Sequence, residues 1–134
     1  MARRLILDTG VLIVAERSRE SLGSVLTADD DVVIAAVTAA ELFAGIELAD
    51  ERFRQRRSAF VNRALDLIPV VPYDLSIAKA HGLLLAHSHQ TGRPRGAHDM
   101  IIAATAIATQ RTIVTRDKAA RFGELPGVES IELG

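Results

Sequence analysis

Short runs of apolar residues alternate along this chain with longer stretches in which apolar residues recur at helical spacing. The first run, Leu5-Ile6-Leu7, is continuously apolar, as expected of a strand covered on both faces in a parallel sheet. The candidate strands are 5–7, 32–35, 68–71, 112–115 and 128–133. Such an alternation of strands and helices favours an α/β fold with a mostly parallel central sheet.

The helical patterns fill the intervals between these runs. They predict two short helices at 11–15 and 21–28, a helix starting at Thr38, an amphipathic helix with apolar residues from Phe53 to Ile68, a long helix from about Leu75 to His89, and a helix opened by Asp99. Thr38-Ala39-Ala40-Glu41 has the form of a capping box, in which the two outer side chains bond to free backbone N–H groups. The long helix is expected to bury a stripe that includes His81 and Leu85.

The length and composition are those of one compact domain over residues 1–134. The 134 residues contain no Ser/Gly/Pro-rich linker and no internal repeat. Hydrophobic residues make up 49% but aromatic residues only 4%, so the core must be built from Ala, Val, Ile and Leu packed between layers. This composition suits an α/β sandwich.

Charge and cysteine content exclude several classes of protein. Lys and Arg number 16 and Asp and Glu 17, so the chain is not a strongly basic nucleic-acid coat protein and any contact with RNA or DNA must be local. The absence of cysteine excludes disulfides and thiolate zinc sites and agrees with a cytoplasmic protein. No apolar run approaches the roughly 20 residues that span a bilayer, so no membrane association is expected.

Four acidic residues stand where a predicted strand or loop gives way to a helix: Asp8, Glu41, Asp99 and Asp117. In an open parallel sheet with right-handed crossovers, the strand-to-helix junctions lie along one edge, where such folds bind their ligands. Each acid alone has a structural explanation, because acids are favoured at helix starts. As a set, they are expected to converge.

Four converging carboxylates would repel one another unless a cation lay between them. Carboxylate oxygens, without Cys or an obligatory His, select Mg²⁺, with Mn²⁺ as a possible substitute. Such an ion activates water and stabilises charge on a phosphoryl group, so the set predicts phosphodiester hydrolysis. Covalent catalysis is not expected, because the chain has no Cys and no G-x-S-x-G elbow.

Four ordered motifs give the chain a resemblance to the PIN-domain ribonucleases, and within them to the VapC-type toxins of type II toxin-antitoxin systems. The motifs are Leu5-Ile6-Leu7-Asp8-Thr9, Thr38-Ala39-Ala40-Glu41-Leu42, the segment from Gly96-Ala97-His98-Asp99 to Ala106, and Val114-Thr115-Arg116-Asp117. The resemblance covers nearly the whole chain. Gly10 departs from it, because family members often carry a polar residue at that position.

The resemblance implies a three-layer α/β/α sandwich, Mg²⁺ held by the acids at positions 8, 41, 99 and 117, and endonucleolytic cleavage of RNA. Thr9 and Thr115 match hydroxyl residues that orient water or a carboxylate beside the acids. The resemblance also implies a cognate antitoxin and a toxin homodimer. It does not identify the RNA that is cleaved.

Three other classes of protein share some of these features but fit the sequence less well. A catalytically silent PIN-like module would only dock RNA or a partner, and the presence of all four acids argues against it. Haloacid-dehalogenase phosphatases need a second Asp two residues after the first, and receiver domains need an acid pair after the first strand, but Thr9 and Gly10 supply no such carboxylate.

Basic residues give weaker signals. Arg93 and Arg95 flank Pro94 in the loop before Asp99, so contact with phosphate is expected there and at Arg116. A basic helix face that includes Arg52, Arg54, Arg56 and Arg57 is more often simply solvated. His98 is interpreted as a solvent-facing residue at a helix start rather than as a site residue.

Overall fold

The computed structural model describes residues 2–17 and 27–134. The strands are β1 (Arg4–Leu7), β2 (Asp31–Ala35), β3 (Val70–Val71), β4 (Thr112–Thr115) and β5 (Ser130–Glu132). The helices are α1 (Thr9–Arg17), α2 (Ala36–Leu48), α3 (Glu51–Leu67), α4 (Leu75–Thr91) and α5 (Ala97–Thr109), and two 3₁₀ turns follow β4 at Lys118–Ala120 and Phe122–Glu124. Most of the helix predicted at 21–28, as far as residue 26, lies outside the described residues. Ala28, at its predicted end, lies in a turn.

The five strands form one sheet in the order β3-β2-β1-β4-β5, and every neighbouring pair is parallel. The chain moves outward from β1 to β2 and β3 and then returns to the other side of β1 with β4 and β5. The order therefore reverses between β1 and β4, which is the kind of position where open α/β sheets bind ligands.

Side chains of the strands alternate between two apolar clusters, one on each face of the sheet. Ile6 packs with residues of α4 and α5, such as Leu84 and Ile102. Leu5 and Leu7 point the other way and pack with residues of α1, α2 and α3, whose members include Leu12, Leu42 and Val61. These helical layers on both faces confirm the three-layer α/β/α sandwich with a parallel sheet.

Several local predictions were wrong in detail. Helix α2 begins at Ala36 rather than Thr38, and its N-cap residue, Ala35, makes no side-chain cap hydrogen bond, so the predicted capping box does not form. β2 runs directly into α2, and the backbone therefore enters the helix before Thr38 is reached. Phe53, predicted on a buried stripe, is 44% exposed because it lies in the first turn of α3, beyond the reach of the core.

Helix α4 was predicted almost to its full extent, but its buried stripe is narrower than expected. Ile77, Ala80 and Leu84 are buried, whereas Leu85 is 50% exposed. The His81 ring is only partly buried and its Nδ1 lies 2.9 Å from the Tyr73 hydroxyl oxygen, so it is not a core histidine. No helix in the described part of the chain is long and apolar enough to cross a membrane.

Candidate active site

Asp8 follows β1 at the carboxyl edge of the sheet and is 7% exposed. Its Oδ1 accepts a hydrogen bond from the Thr9 backbone N–H at 2.8 Å, and its Oδ2 accepts one from the Thr115 hydroxyl at 2.8 Å. Since Thr115 is the last residue of β4, the pairing of β1 with β4 brings these two side chains together. The Asp8 carboxylate is thus fixed at the point where the strand order reverses.

Glu41 projects from α2 toward the same edge. Its Oε1 accepts a hydrogen bond from the Thr9 hydroxyl at 3.1 Å and lies 3.4 Å from Nδ1 of His98 in the first turn of α5. Glu41 therefore links α1, α2 and α5, rather than bonding to the start of its own helix as the capping box predicted. His98 is exposed, as interpreted from the sequence, and it is also a direct neighbour of this carboxylate.

Asp99 lies in the first turn of α5 and is partly buried. Its pKa is raised above the ordinary value, chiefly because burial disfavours the charged form and further because Asp8, Asp117 and Glu41 repel its charge, while His98 acts in the opposite direction. The repulsion requires the other three carboxylates to lie near Asp99. The structure thus brings the four predicted acids to one region.

Gly96, the N-cap residue of α5, lies against the Asp99 side chain. A Cβ atom built on Gly96 would stand 3.0 Å from Oδ2 of Asp99 and 3.5 Å from its Cγ. Any other residue at position 96 would therefore crowd the carboxylate. Gly96 belongs to one of the four sequence motifs, but its contact with Asp99 was not predicted.

Asp117 ends the segment after β4 and caps the first 3₁₀ turn. Its Oδ1 accepts hydrogen bonds from the backbone N–H groups of Ala119 at 2.9 Å and Ala120 at 3.3 Å, and its own N–H donates to the Thr115 hydroxyl oxygen at 3.0 Å. Asp117 therefore serves the local backbone while it adds negative charge near Asp99.

The donor set suits a hard divalent cation, because it consists of carboxylate oxygens with hydroxyl groups behind them. Within residues 2–17 and 27–134, however, no three Asp, Glu or His side chains stand close enough together to ligate one ion as placed. The carboxylates are neighbours whose charges repel, and this repulsion adds to burial in raising the pKa of Asp99. A divalent cation bound between the carboxylates would offset that repulsion, so these residues suit such an ion.

A cleft of about 520 Å³ opens beside Asp99, between the loop that precedes α5 and the turns that follow Asp117. Arg93 lies at this cleft with 69% of its side chain exposed, whereas the Arg95 side chain is only 11% exposed. Arg116 lies elsewhere and donates to the backbone oxygen of Gly134 at 2.8 Å. Arg121, which the sequence analysis did not single out, lines the cleft in a left-handed backbone conformation with φ of 49°.

The basic face of α3 does not line this cleft. Arg57 donates to Glu16 of α1 at 3.2 Å and to the Gly45 carbonyl of α2 at 3.3 Å, so it ties three helices together. The guanidinium groups of Arg52 and Arg56 lie 5.2 Å and 5.9 Å from the centre of the Phe53 ring. Arg54 donates to the backbone oxygens of Glu47 at 3.2 Å and Ala49 at 3.5 Å, so contacts within the protein account for all four arginines without a ligand.

Comparison with known proteins supplies an independent observation. A family model described as "PIN domain" matches residues 5–126. Ribonuclease VapC5 of Mycobacterium tuberculosis is 30% identical to this chain over 129 residues, an alignment that covers 96% of this chain and 92% of that protein.

Solved structures agree with this match. The VapBC-5 toxin-antitoxin structure from Mycobacterium tuberculosis contains a chain that superposes with a TM-score of 0.79 at 29% identity, covering 97% of this chain and 98% of that one. A chain of VapBC2 from Rickettsia felis, solved with a promoter DNA fragment, gives a TM-score of 0.87 at 19% identity, covering 98% of this chain and 99% of that one, and shows likeness of fold alone.

Proposed function

Because this chain belongs to the PIN-domain family, as a relative of the VapC ribonucleases, we propose that it is a Mg²⁺-dependent endoribonuclease and the toxin of a toxin-antitoxin pair. The observation that carries the proposal is the arrangement at the carboxyl edge of the sheet, where hydrogen bonds hold Asp8, Glu41 and Asp117 near the partly buried Asp99. Side chains from distant parts of the sequence meet there, and the pKa of Asp99, raised chiefly by burial and further by the charges of the other three carboxylates, is perturbed as in many functional sites.

We propose that Asp8, Glu41, Asp99 and Asp117 hold the cation, with Mn²⁺ as a substitute for Mg²⁺. When bound, such an ion activates water and offsets the charge that develops on the phosphoryl group. Asp8 is well placed for this role because its two hydrogen bonds leave further lone pairs free on the carboxylate oxygens.

The two threonines would act by holding carboxylates rather than by touching the substrate. Thr115 fixes Asp8 from β4, and Thr9 fixes Glu41 from α1. Outer partners of this kind restrict the rotation of ligand carboxylates and so keep a metal site in shape. Their part in the chemistry remains a prediction.

Of the three arginines expected from the sequence to meet phosphate, Arg93 is proposed to contact the RNA backbone, whereas Arg95 and Arg116 donate to backbone carbonyls of the protein. Arg93 has the strongest claim, because its side chain is exposed at the cleft beside Asp99 and its ion-pair contact with Glu124 is long at 3.9 Å. Phosphate contacts of this type bind and orient RNA without selecting its sequence.

The proposed partner is a cognate antitoxin, in keeping with the VapBC complexes among the similar structures. We also propose that the free toxin is a homodimer and acts in the cytoplasm, as its resemblance to VapC-type toxins implies. Light scattering on the purified chain would test the dimer, and a monomer at micromolar concentration would refute it.

The catalytic proposal is tested with antitoxin-free protein and a labelled RNA mixture, in Mg²⁺, in Mn²⁺ and in EDTA. We expect cleavage with either ion and none in EDTA. Asp99→Asn should lower the cleavage rate by about 10–100-fold or more, because changing even a residue that supports a metal ligand commonly costs that much. Asp66→Asn, which changes an exposed acid on α3, is the matched control and should cleave as wild type.

Two outcomes would refute the proposal. If wild-type protein cleaves no RNA with either ion, and calorimetry detects no binding of Mn²⁺ at millimolar concentration, the chain is the catalytically silent module instead. If Asp99→Asn cleaves as well as Asp66→Asn, the assignment of the site is wrong even if the protein is a ribonuclease.

A further inference from the structure

Arg95 is placed unlike the other arginines near the cleft. Its guanidinium Nη1 donates to two backbone carbonyls, those of Ala120 at 2.6 Å and Arg121 at 2.7 Å, and its Nη2 lies 3.5 Å from Oε2 of Glu124. The side chain is 11% exposed, compared with 69% for Arg93 two residues earlier. Arg95 therefore uses its donors within the protein.

The two carbonyls belong to the end of the 3₁₀ turn that Asp117 caps. Ala120 accepts from Arg95 through its carbonyl and donates to Asp117 through its N–H. The turn comprises only three residues, and hydrogen bonds in such turns have poor geometry, so a short 3₁₀ turn depends on outside support. Here Asp117 holds its start and Arg95 holds its end.

The same contacts connect the two sides of the candidate site. Arg95 lies in the loop that leads through Gly96 into α5, which carries Asp99. From Arg95 a continuous path of hydrogen bonds runs through the 3₁₀ turn to Asp117, from the Asp117 N–H to Thr115, and from Thr115 to Asp8. Arg95 thus joins the segment before Asp99 to the segment that bears Asp117.

We propose that Arg95 is a positioning residue, which clamps the turn after Asp117 onto the loop before Asp99 and so fixes the separation of these two carboxylates. The inference rests on the proposed function, because it assigns to Arg95 control over the cation affinity of that site. It differs from a phosphate contact, since the donors of Arg95 are directed at backbone carbonyls.

The test uses the antitoxin-free full chain with Arg95→Ala, Arg95→Lys and, as the matched control, Arg93→Ala. Mn²⁺ affinity is measured by calorimetry or electron paramagnetic resonance, and kcat and KM with a short RNA. For Arg95→Ala we expect about tenfold weaker Mn²⁺ binding and about 10–100-fold lower kcat, with KM unchanged. Arg95→Lys keeps a charged donor and should recover part of both losses.

Arg93→Ala should behave differently, with KM raised and with Mn²⁺ affinity and kcat retained, because its exposed guanidinium pairs with Glu124 at 3.9 Å and, within the described residues, makes no contact with the turn Lys118–Ala120. The inference is overturned if Arg95→Ala gives this same pattern, since Arg95 would then be a substrate contact. It is also overturned if Arg95→Ala, folded as judged by circular dichroism, keeps wild-type Mn²⁺ affinity and kcat.

Amide hydrogen exchange separates failure of this inference from failure of the proposed function. In Arg95→Ala the Ala119 and Ala120 amides, which are held by Asp117, should exchange about tenfold faster, while those of Ile113 and Val114 in β4 stay protected. If wild type neither cleaves RNA nor binds Mn²⁺, the proposed function fails and the exchange result still judges the clamp. Unchanged exchange at Ala119 and Ala120 overturns the clamp.

Discussion

Gly96 and three nearby carboxylates affect the Asp99 side chain in different ways. Gly96 leaves it room, because a Cβ at that position would come within 3.0 Å of Oδ2. Burial, and next the charges of the other three carboxylates, raise its pKa. Both effects can be measured by changing a single residue.

Gly96→Ala should displace the Asp99 carboxylate while leaving the fold intact. The backbone φ at Gly96 is −59°, which any residue can adopt, so the added methyl group acts through contact with Asp99 rather than through backbone strain. We expect kcat for RNA cleavage to fall severalfold, because the carboxylate must move by a few tenths of an ångström and a shift of about 1 Å in a catalytic group can cost about 100-fold. The measurement is kcat, together with the temperature of unfolding.

Gly82→Ala is the matched control for that substitution. Gly82 lies within α4, and a Cβ built there meets nothing within 4 Å. The change should raise stability by about 0.5–1 kcal/mol, since glycine is unfavourable inside helices. Wild-type kcat in Gly96→Ala would show that the carboxylate moves aside without consequence, contrary to this prediction.

The raised pKa of Asp99 predicts how stability depends on pH in the metal-free protein. In the unfolded chain this carboxyl has its ordinary pKa, so the folded state binds its proton more tightly. The stabilisation is fully present below the ordinary pKa of aspartate, about 4, and is lost as pH rises through the raised value. At neutral pH the ionised Asp99 therefore destabilises the fold.

Asp99→Asn should accordingly unfold at a higher temperature than wild type in EDTA at about pH 7, and this difference should shrink toward about pH 4. Thermal unfolding of the two proteins across this range is the measurement. If Asp99→Asn is less stable than wild type at neutral pH, the charge of Asp99 is compensated inside the protein, contrary to this prediction.

At the scale of elements, the sequence predicted where strands and helices lie but not how helix α2 begins. Thr38 and Glu41 have the spacing of a capping box, yet α2 already starts at Ala36. Glu41 instead bonds to Thr9, which lies 32 residues earlier in the chain. A local pattern could not reveal this, because the partner of Glu41 is set by the packing of α2 against α1.

Because α2 begins before Thr38, the Thr38 side chain is buried inside the helix instead of capping it. Thr38 is fully buried, and its hydroxyl oxygen has no hydrogen-bond partner among the residues that the structure describes. Replacing Thr38 with Val removes this buried hydroxyl, which makes no hydrogen bond in the described structure, and keeps the shape of the side chain. We expect Thr38→Val to raise the free energy of unfolding by about 1 kcal/mol, as measured by urea denaturation.

Thr105→Val serves as the control, since Thr105 is equally buried but its hydroxyl donates to the Ile101 carbonyl at 2.7 Å. That change should be neutral or slightly destabilising. If Thr38→Val loses stability to the same extent as Thr105→Val, then Thr38 does have a hydrogen-bond partner in solution.

At the scale of the whole molecule, the order of the strands creates the site. The sequence predicted strand ends carrying acids and a common edge, but nothing in it placed β4 beside β1. That pairing depends on how helices α4 and α5 fill one face of the sheet, and it alone brings Thr115 to Asp8. The sequence therefore predicted the set of acids, whereas the contacts that hold them required the structure.

The opposite edge of the sheet has a separate, structural task. Arg111, which precedes β4, is 8% exposed in its side chain and donates to the Asp31 backbone oxygen at 2.8 Å, to Asp31 Oδ1 at 3.0 Å and to the Leu5 carbonyl at 3.4 Å. It thus joins the amino ends of β1, β2 and β4. The four acids lie at the carboxyl ends of the strands, where none of these bonds reaches.

Arg111→Met keeps the apolar stem and removes the donors, so it should destabilise the fold by about 1.5–3 kcal/mol in urea denaturation. Arg4→Met is the control, because the Arg4 side chain is 51% exposed and its ion pair with Asp31 should contribute less than about 1 kcal/mol. The folded fraction of Arg111→Met should bind Mn²⁺ as wild type does. Weakened binding in fully folded Arg111→Met would show that the two edges of the sheet are energetically connected, because none of these Arg111 bonds reaches the acids directly.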